Sequence, residues 1–336
     1  MGSEGPATTW TAATADLLVG PRGIVKAIHV WWPLSLCLTV YGIPAGPARW
    51  AMPLAAFGAA ACWAEAAILC NDFADRREDA AARKSRWIGA QPAWAAYGAV
   101  AGLALVGLAL IRAGGGGPVT GAVYLAAVAL ALAYSVRPLR MKTRGPWGLA
   151  AYSGSACLAY AVFPWAWVGA PAIALAAICP AVFMDKWVNI HFHQVIDCEA
   201  DAAAGTRTFA VAAGAGEARA ALLWAAVLAS VAMVGGVACS AVSAGAWGWA
   251  VAAGSLLTVA GMAAHVTRAR RRPERTALVE ELPWHYLGLT FALFRVVPAV
   301  LMLRLALHDP AMRGAAALLL VLLAAEARHL VGYRYR

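Results

Sequence analysis

Apolar segments of about 20 residues, each long enough to cross a bilayer as an α-helix, recur along nearly the whole chain. The 336 residues are 62% hydrophobic and only 13% charged, a balance outside the range of soluble globular domains. This pattern predicts an all-α fold, a polytopic transmembrane helical bundle of nine to ten spans. The segments lie near residues 24–46, 50–71, 91–112, 117–136, 148–169, 170–193, 218–240, 244–267, 283–306 and 312–332.

The chain ends differ in composition from the region between them. Residues 1–20 are polar and small and lack a basic stretch followed by an apolar core, so we expect a polar cytoplasmic segment and no cleavable signal peptide. Residues 21–306 contain only loop-sized polar stretches, which predicts one transmembrane domain. Residues 307–336 are expected to add an extra C-terminal helix and a basic tail.

The formal net charge of +10 comes from basic residues at the ends of apolar segments. They concentrate in the loops after the second, fourth and eighth segments, as at Arg83, Arg140 and Arg271. By the positive-inside rule these loops and the N-terminus are cytoplasmic. We therefore expect an integral protein, of the plasma membrane, with the lipid bilayer and not nucleic acid as its partner.

An acidic cluster, Asn71–Asp79, follows the second segment. Its aspartates Asp72, Asp75 and Asp79 are spaced i, i+3 and i+7, which places three carboxylates on one helical face. Like charges so arranged repel one another, which destabilises the helix end unless a cation compensates them. Hard oxygen ligands of this kind suit magnesium, which also binds substrate phosphates. The alternative is a solvated acidic helix end that neighbouring arginines balance.

A second acidic cluster, Asp197–Asp201, ends the sixth segment, with Asp197 and Asp201 one helical turn apart. Carboxylates near a membrane interface are costly unless they face water, a partner or an ion. Two such clusters at equivalent ends of separate segments therefore favour one shared site. The segments also hint at a loose two-fold repeat, because the fourth and eighth are each followed by a basic loop.

A basic segment, Tyr134–Lys142, follows the fourth apolar segment. Its Arg140 and Lys142 could meet diphosphate oxygens, arginine through a bidentate fork and lysine as a point charge. The alternative is plain topological charge, which the positive-inside rule already predicts.

Together these motifs resemble those of the UbiA superfamily of intramembrane prenyltransferases. That family carries N-D-x-x-D-x-x-x-D after the second span, a Tyr-Ser-x-x-Pro-x-Arg-x-Lys-like segment after the fourth, and a second aspartate motif after the sixth. All three occur here in that order, and the resemblance covers roughly residues 20–300. It implies helices around a central cavity that opens laterally to lipid, with the motifs facing the cytoplasm.

The resemblance also implies roles for individual residues. Two magnesium ions that bridge the diphosphate of an isoprenoid substrate would be held by Asp72, Asp75, Asp79, Asp197 and Asp201. These five aspartates and Lys142 are the expected catalytic residues. The expected substrate-binding residues are Asn71, Lys84, Tyr134, Arg140 and Arg207. Two departures concern the acceptor side and the metal: Lys84–Gly89 replaces the Arg-Thr-x-x-Arg-Pro of many members, and Ala200 stands where some have aspartate.

The sixth segment carries an unusual polar load for a membrane helix. Asp185, Asn189, His193, Asp197 and Asp201 recur every fourth residue, a stripe leading from mid-membrane to the second cluster. This stripe predicts a helix that lines a wet cavity, with Asn189 and His193 contacting substrate. The alternative is interhelical hydrogen bonding, with Asp185 and the adjacent lysine as a structural pair.

Three functions remain open at this level. The leading one is magnesium-dependent prenyl transfer from an isoprenoid diphosphate to an aromatic or other lipophilic acceptor. The second is a UbiA-type terpene cyclase, in which the prenyl cation is attacked by a double bond of its own chain. The third is a transporter or lipid-binding protein with acidic gates.

Overall fold

A computed structural model describes residues 29–42, 50–81, 86–170, 172–242, 260, 295 and 297–332. All regular secondary structure within these ranges is helical, as predicted. The predicted N-terminal segment 1–20, the predicted span at 244–267 and the first part of the span at 283–306 lie outside them.

The helices follow the predicted apolar segments closely. A π-helical turn, Leu158–Val162, joins the helix Pro146–Cys157 to the helix Phe163–Val168, so that the fifth predicted segment is continuous. Short 3₁₀ helices occupy Trp87–Ala90, Met141–Thr143 and Pro310–Met312. In chain order the α-helices are α1 Trp31–Tyr41, α2 Met52–Ala74, α3 Arg76–Ala81, α4 Ala93–Ala113, α5 Pro118–Ser135, α6 Pro146–Cys157, α7 Phe163–Val168, α8 Ala172–Ile196, α9 Cys198–Ala203, α10 Phe209–Ala213, α11 Ala215–Val242, α12 Val297–His308 and α13 Arg313–Gly332.

Four of the described helices are long and apolar enough to cross a membrane: α2, α4, α5 and the Ala215–Gly236 part of α11. The 25-residue helix α8 has a comparable length but carries the polar stripe. A helix of 25 residues is about 37 Å long, which exceeds the hydrocarbon core of a bilayer. The predicted tenth segment is helical, as α13.

Small residues let the helices approach one another closely, as expected where lipid provides no hydrophobic drive between them. Helix α2 packs against α4 and α5, and α8 packs between α6 and α11. A Cβ at Gly107 of α4 would overlap the hydroxyl of Tyr124 in α5, and one at Gly236 would lie 2.8 Å from the Ala177 carbonyl oxygen. These contacts fix how α8 and α11, and α4 and α5, sit against each other.

The two acidic clusters are built on the same local design. Helix α2 is interrupted at Asp75 and followed by the six-residue α3, and α8 is interrupted at Asp197 and followed by the six-residue α9. Helical i→i−4 backbone bonds nevertheless continue through each break, so each carboxylate keeps a helical position. These bonds are Asp75 N to Asn71 O at 2.9 Å, Asp79 N to Asp75 O at 2.8 Å, Asp197 N to His193 O at 2.9 Å and Asp201 N to Asp197 O at 2.8 Å.

Candidate active site

The first acidic cluster meets the basic segment that follows α5. The Lys142 ammonium Nζ contacts Asp75 Oδ1 directly. Arg140 Nη2 lies 3.4 Å from the same oxygen and 2.5 Å from Glu78 Oε1. Residues that are more than sixty positions apart in sequence therefore form one charge cluster.

The backbone around this segment places both cations. Arg140 adopts a left-handed conformation with φ of 35°, which costs a non-glycine residue about 1–2 kcal/mol. Lys142 is only 6% exposed and sits over the start of α6, where a Cβ at Gly148 would lie 2.8 Å from the Lys142 Cα. Ser135 Oγ donates to Asn71 Oδ1 at 3.2 Å and ties the end of α5 to the first cluster. Strain of this kind is concentrated at functional sites.

Charge pairing shifts the pKa values of Glu78 and Arg140, which both lie outside the membrane-spanning segments. Burial raises the pKa of Glu78, but its hydrogen bond to Arg140 and the nearby positive charges lower the pKa by more, so that it falls below its ordinary value. Burial lowers the pKa of Arg140, but Glu78 and Asp75 raise it by more. Both groups are therefore held firmly in their charged forms.

The second acidic cluster is held by the chain that follows it. Asp201 Oδ2 accepts a hydrogen bond from Thr208 Oγ1 at 3.2 Å, and the Asp201 carbonyl accepts one from the Thr206 backbone at 2.8 Å. Asp197 is partly buried at the break before α9. The predicted substrate-binding residue Arg207 is exposed between the two threonines.

Tyr134 lies near both acidic clusters. It lies at the end of α5, beside the Gln194 side chain of α8, and within electrostatic range of both Asp75 and Asp201. Its ring centroid is 5.8 Å from that of Tyr152 in α6. The ends of α2, α5 and α8 therefore converge on one region.

The remaining predicted residues lie in different surroundings. Asp72 is buried at 7% exposure, and Asp79 Oδ2 lies 3.8 Å from Arg86 Nε. Asn189 is partly buried, whereas His193 is exposed. Lys84 lies outside the described residues.

Within the described ranges, no three His, Cys, Asp or Glu side chains lie close enough together to share one metal ion. The first cluster instead has Lys142 and Arg140 as its counter-ions. Magnesium needs only one or two protein carboxylates when it also binds substrate phosphates. The all-oxygen chemistry of the donor set therefore still fits that ion, and the assignment of the five aspartates stays a prediction.

A family model gives the site its context. The model of the UbiA prenyltransferase family matches residues 30–279, most of the chain. The chain belongs to the UbiA prenyltransferase family. The resemblance inferred from the three motifs is thereby confirmed.

Solved structures support the same fold. A UbiA homolog from Archaeoglobus fulgidus bound to DMAPP and Mg2+ is 18% identical, with a TM-score of 0.56 over 81% of this chain and 98% of the homolog. The same homolog bound to GPP and Mg2+ gives a TM-score of 0.53 at the same identity and coverage. A comparison with curated protein sequences gives no significant match.

Sequence reasoning did not include three residues of this region among the candidate site residues. Glu78 pairs with Arg140, Ser135 donates to Asn71, and Gln194 lies beside Tyr134. Glu78 follows Asp75 by three positions, so helical spacing alone already placed it on the same face. The contacts of Ser135 and Gln194 depend on how α2, α5 and α8 pack, which no local pattern reveals.

Proposed function

We propose that the protein is a magnesium-dependent intramembrane prenyltransferase. It ionises an isoprenoid diphosphate and transfers the prenyl group to an aromatic or other lipophilic acceptor, with release of diphosphate. This proposal rests on one observation: Lys142 and Arg140 form ion pairs with Asp75 at the end of α2. Diphosphate recognition needs cations and metal-binding carboxylates side by side.

The basic segment would bind the diphosphate. When a substrate with several negative charges enters, Lys142 and Arg140 exchange carboxylate oxygens for diphosphate oxygens. Arginine can hold two of these oxygens through its planar fork, and lysine supplies a compact charge. Asn71, Lys84 and Arg207 would complete the set of diphosphate contacts.

The aspartates would hold the magnesium. Asp72, Asp75 and Asp79 on one side and Asp197 and Asp201 on the other offer hard oxygen donors, and Tyr134 lies within electrostatic range of both sides. Bound magnesium would offset the negative charge that develops on the leaving group. The homologous structures bound to DMAPP or GPP with Mg2+ support this assignment.

The reaction breaks the bond between the first prenyl carbon and the diphosphate oxygen. The electron pair leaves with the diphosphate, and an allylic cation remains. A π electron pair of the acceptor forms the new carbon–carbon bond, and the attacked carbon then loses its proton. Lys142 and Arg140 face the oxygens on which negative charge develops, which is where fixed charges accelerate a reaction most.

The setting of the reaction is the membrane. Both proposed substrates are lipophilic, and the proposed site residues lie near the ends of α2 and α8 rather than mid-span. Under the positive-inside rule, the basic loops favour the cytoplasmic side for these ends. We propose the plasma membrane as the location.

Purified protein incubated with geranyl diphosphate and magnesium, with and without an acceptor, tests the proposal. Diphosphate release that requires Asp75, and a prenylated product that requires an added acceptor, are expected. A cyclic hydrocarbon or alcohol formed without acceptor would instead identify a terpene cyclase. If wild type releases no diphosphate under any condition and Asp75→Asn binds geranyl diphosphate as wild type does, the enzyme proposal is wrong.

A further inference from the structure

Arg144 lies on the exposed side of the loop that joins α5 to α6. Its guanidinium folds back across this loop. Nε donates to the Leu139 carbonyl at 2.7 Å, and Nη2 donates to the Pro138 carbonyl at 3.1 Å. The donors of a guanidinium form a planar fork, so one side chain can hold two successive carbonyls in a fixed geometry. Arg144 therefore clamps the loop directly before Arg140.

The backbone at Arg140 needs such support. Arg140 is in the left-handed region, with φ of 35°, directly after the clamped carbonyls. A non-glycine residue persists in this region only when the surrounding structure holds it there. The Arg140 amide donates to the Val136 carbonyl at 2.8 Å, and Thr143 Oγ1 donates to the Arg140 carbonyl at 3.0 Å. With the Arg144 clamp added, hydrogen bonds fix the turn on both sides of Arg140.

This turn sets the direction of the two cations of the site. Lys142 contacts Asp75, and Arg140 lies 3.4 Å from the same carboxylate. Cations at three alternate positions of one loop, 140, 142 and 144, repel one another. The hydrogen bonds of Arg144 nevertheless go to backbone carbonyls of this loop. A charge that served membrane topology alone could extend into water, so the folded-back guanidinium indicates a role in holding the loop.

We propose that Arg144 is a positioning residue, which holds the loop in the conformation that presents Arg140 and Lys142 to the diphosphate. The inference rests on the proposed prenyl transfer and adds a residue that touches neither substrate nor metal. When both cations exchange the Asp75 carboxylate for diphosphate oxygens, the clamp keeps their backbone in place. The site is then ordered before substrate binds, which lowers the entropic cost of binding.

The surface of the loop allows a direct chemical test. An open depression of about 600 Å³ lies there, and Arg144 is among the loop residues that line it. Because Arg144 is exposed, removal of its side chain leaves space that a small ion from solution can enter. Guanidinium has the planar fork of the missing side chain, whereas ammonium is a compact point charge. Rescue by guanidinium alone would therefore report the clamp itself and not a general need for positive charge.

The test compares Arg144→Ala and Arg144→Lys with wild type. The matched control is Arg137→Ala, because Arg137 is an exposed arginine of the same loop. The rate of diphosphate release from geranyl diphosphate with magnesium, the KM for geranyl diphosphate and the thermal midpoint are measured for each protein. Each rate is measured again in millimolar guanidinium chloride and in ammonium chloride at the same ionic strength.

Arg144→Ala is expected to lower the rate at least tenfold, because a displacement of about 1 Å at a reacting group can cost about 10²-fold in rate. Arg144→Lys keeps the charge without the fork and is expected to recover only part of this loss. Guanidinium should raise the rate of Arg144→Ala at least threefold, and ammonium should not. The thermal midpoint of Arg144→Ala should stay within about 2 °C of Arg137→Ala, because substitutions at exposed positions change stability little.

Failure of this inference differs from failure of the proposed function. If wild type releases no diphosphate, prenyl transfer is wrong and the inference falls with it. If wild type is active, the clamp alone is overturned when Arg144→Ala keeps the rate of Arg137→Ala, or when guanidinium rescues Arg144→Ala no better than ammonium does. It is also overturned if Arg144→Lys matches wild type, or if Arg144→Ala lowers the thermal midpoint well below that of Arg137→Ala.

Discussion

Lys142 and Asp75 form an ion pair between the loop after α5 and the end of α2, and their side chains are only 8% and 13% exposed. Arg140 approaches the same carboxylate from 3.4 Å. The charge of the first acidic cluster is thus offset by the residues expected to bind the diphosphate. Binding of substrate with magnesium would redistribute these contacts without adding charge that the site cannot balance.

Lys142→Met should separate the catalytic role of this pair from its structural one. Loss of a fixed donor to the leaving group is expected to lower the rate of diphosphate release by about 10²–10³-fold. Removal of one member of a buried pair costs about 3–5 kcal/mol, so the thermal midpoint should fall. Lys142→Met combined with Asp75→Asn should recover the midpoint but not the rate.

The matched control for this prediction is Arg137→Met, an exposed cation on the same loop. It should keep the wild-type rate and midpoint. If Lys142→Met released diphosphate as fast as Arg137→Met, the assignment of Lys142 to the leaving group would be wrong.

Gly148→Ala should damage the site without touching a charged group. A Cβ at this position would lie 2.8 Å from both the Lys142 Cα and the Met141 carbonyl oxygen, and backbone atoms cannot move aside cheaply. The loop must shift, and a displacement of about 1 Å at a reacting group can cost about 10²-fold in rate. A steady-state rate measurement should show a loss of at least tenfold.

Gly102→Ala is the control, because a Cβ at Gly102 of α4 meets nothing within 4 Å. Alanine favours a helix by about 1 kcal/mol over glycine, so this variant should be active and at least as stable as wild type. Equal rates for the two variants would mean that the position of Lys142 does not limit catalysis.

The sequence was sufficient for the helices that the structure describes, whereas the assignment of the site residues stays a prediction. Long apolar segments and helical spacing are local properties, which is why α2, α5 and α8, and the acidic clusters at the ends of α2 and α8, could be predicted. The three motifs together also indicated the family, which the family model confirms.

The sequence was insufficient where contacts depend on helix packing. The pairing of Arg140 with Glu78 occurs together with a left-handed backbone at Arg140, and the close approach of Gly148 to Lys142 depends on the fold of the loop. The environment of Gln194 depends on α8 lying beside the end of α5. No periodicity encodes these relations, because they join segments that are far apart in the chain.

Lys186→Met should reveal how much the buried Asp185–Lys186 ion pair contributes to stability. Lys186 Nζ lies 2.8 Å from Asp185 Oδ2, and 5.4 Å from the centroid of the Tyr160 ring; both charged side chains are 5% exposed. Loss of the ammonium removes a counter-ion of Asp185, and the midpoint is expected to fall by an amount equivalent to about 3–5 kcal/mol. Asp185→Asn with Lys186→Met should recover much of it. Equal midpoints for Lys186→Met and wild type would contradict this role.

Thr208→Val should weaken the second acidic cluster while keeping the fold. The Thr208 hydroxyl donates to Asp201 Oδ2 at 3.2 Å and makes no capping bond to α10, so valine removes only the contact to the carboxylate. Groups that orient metal ligands typically contribute 10–100-fold to metal affinity. The magnesium concentration for half-maximal diphosphate release should therefore rise at least tenfold, with the rate at saturating magnesium much less affected. Thr120→Val, a buried position at the opposite end of α5, should leave the magnesium requirement unchanged. An unchanged requirement in Thr208→Val would contradict the proposal that the Thr208 hydroxyl orients Asp201 for magnesium binding, because the loss of an orienting bond should weaken the binding of the ion.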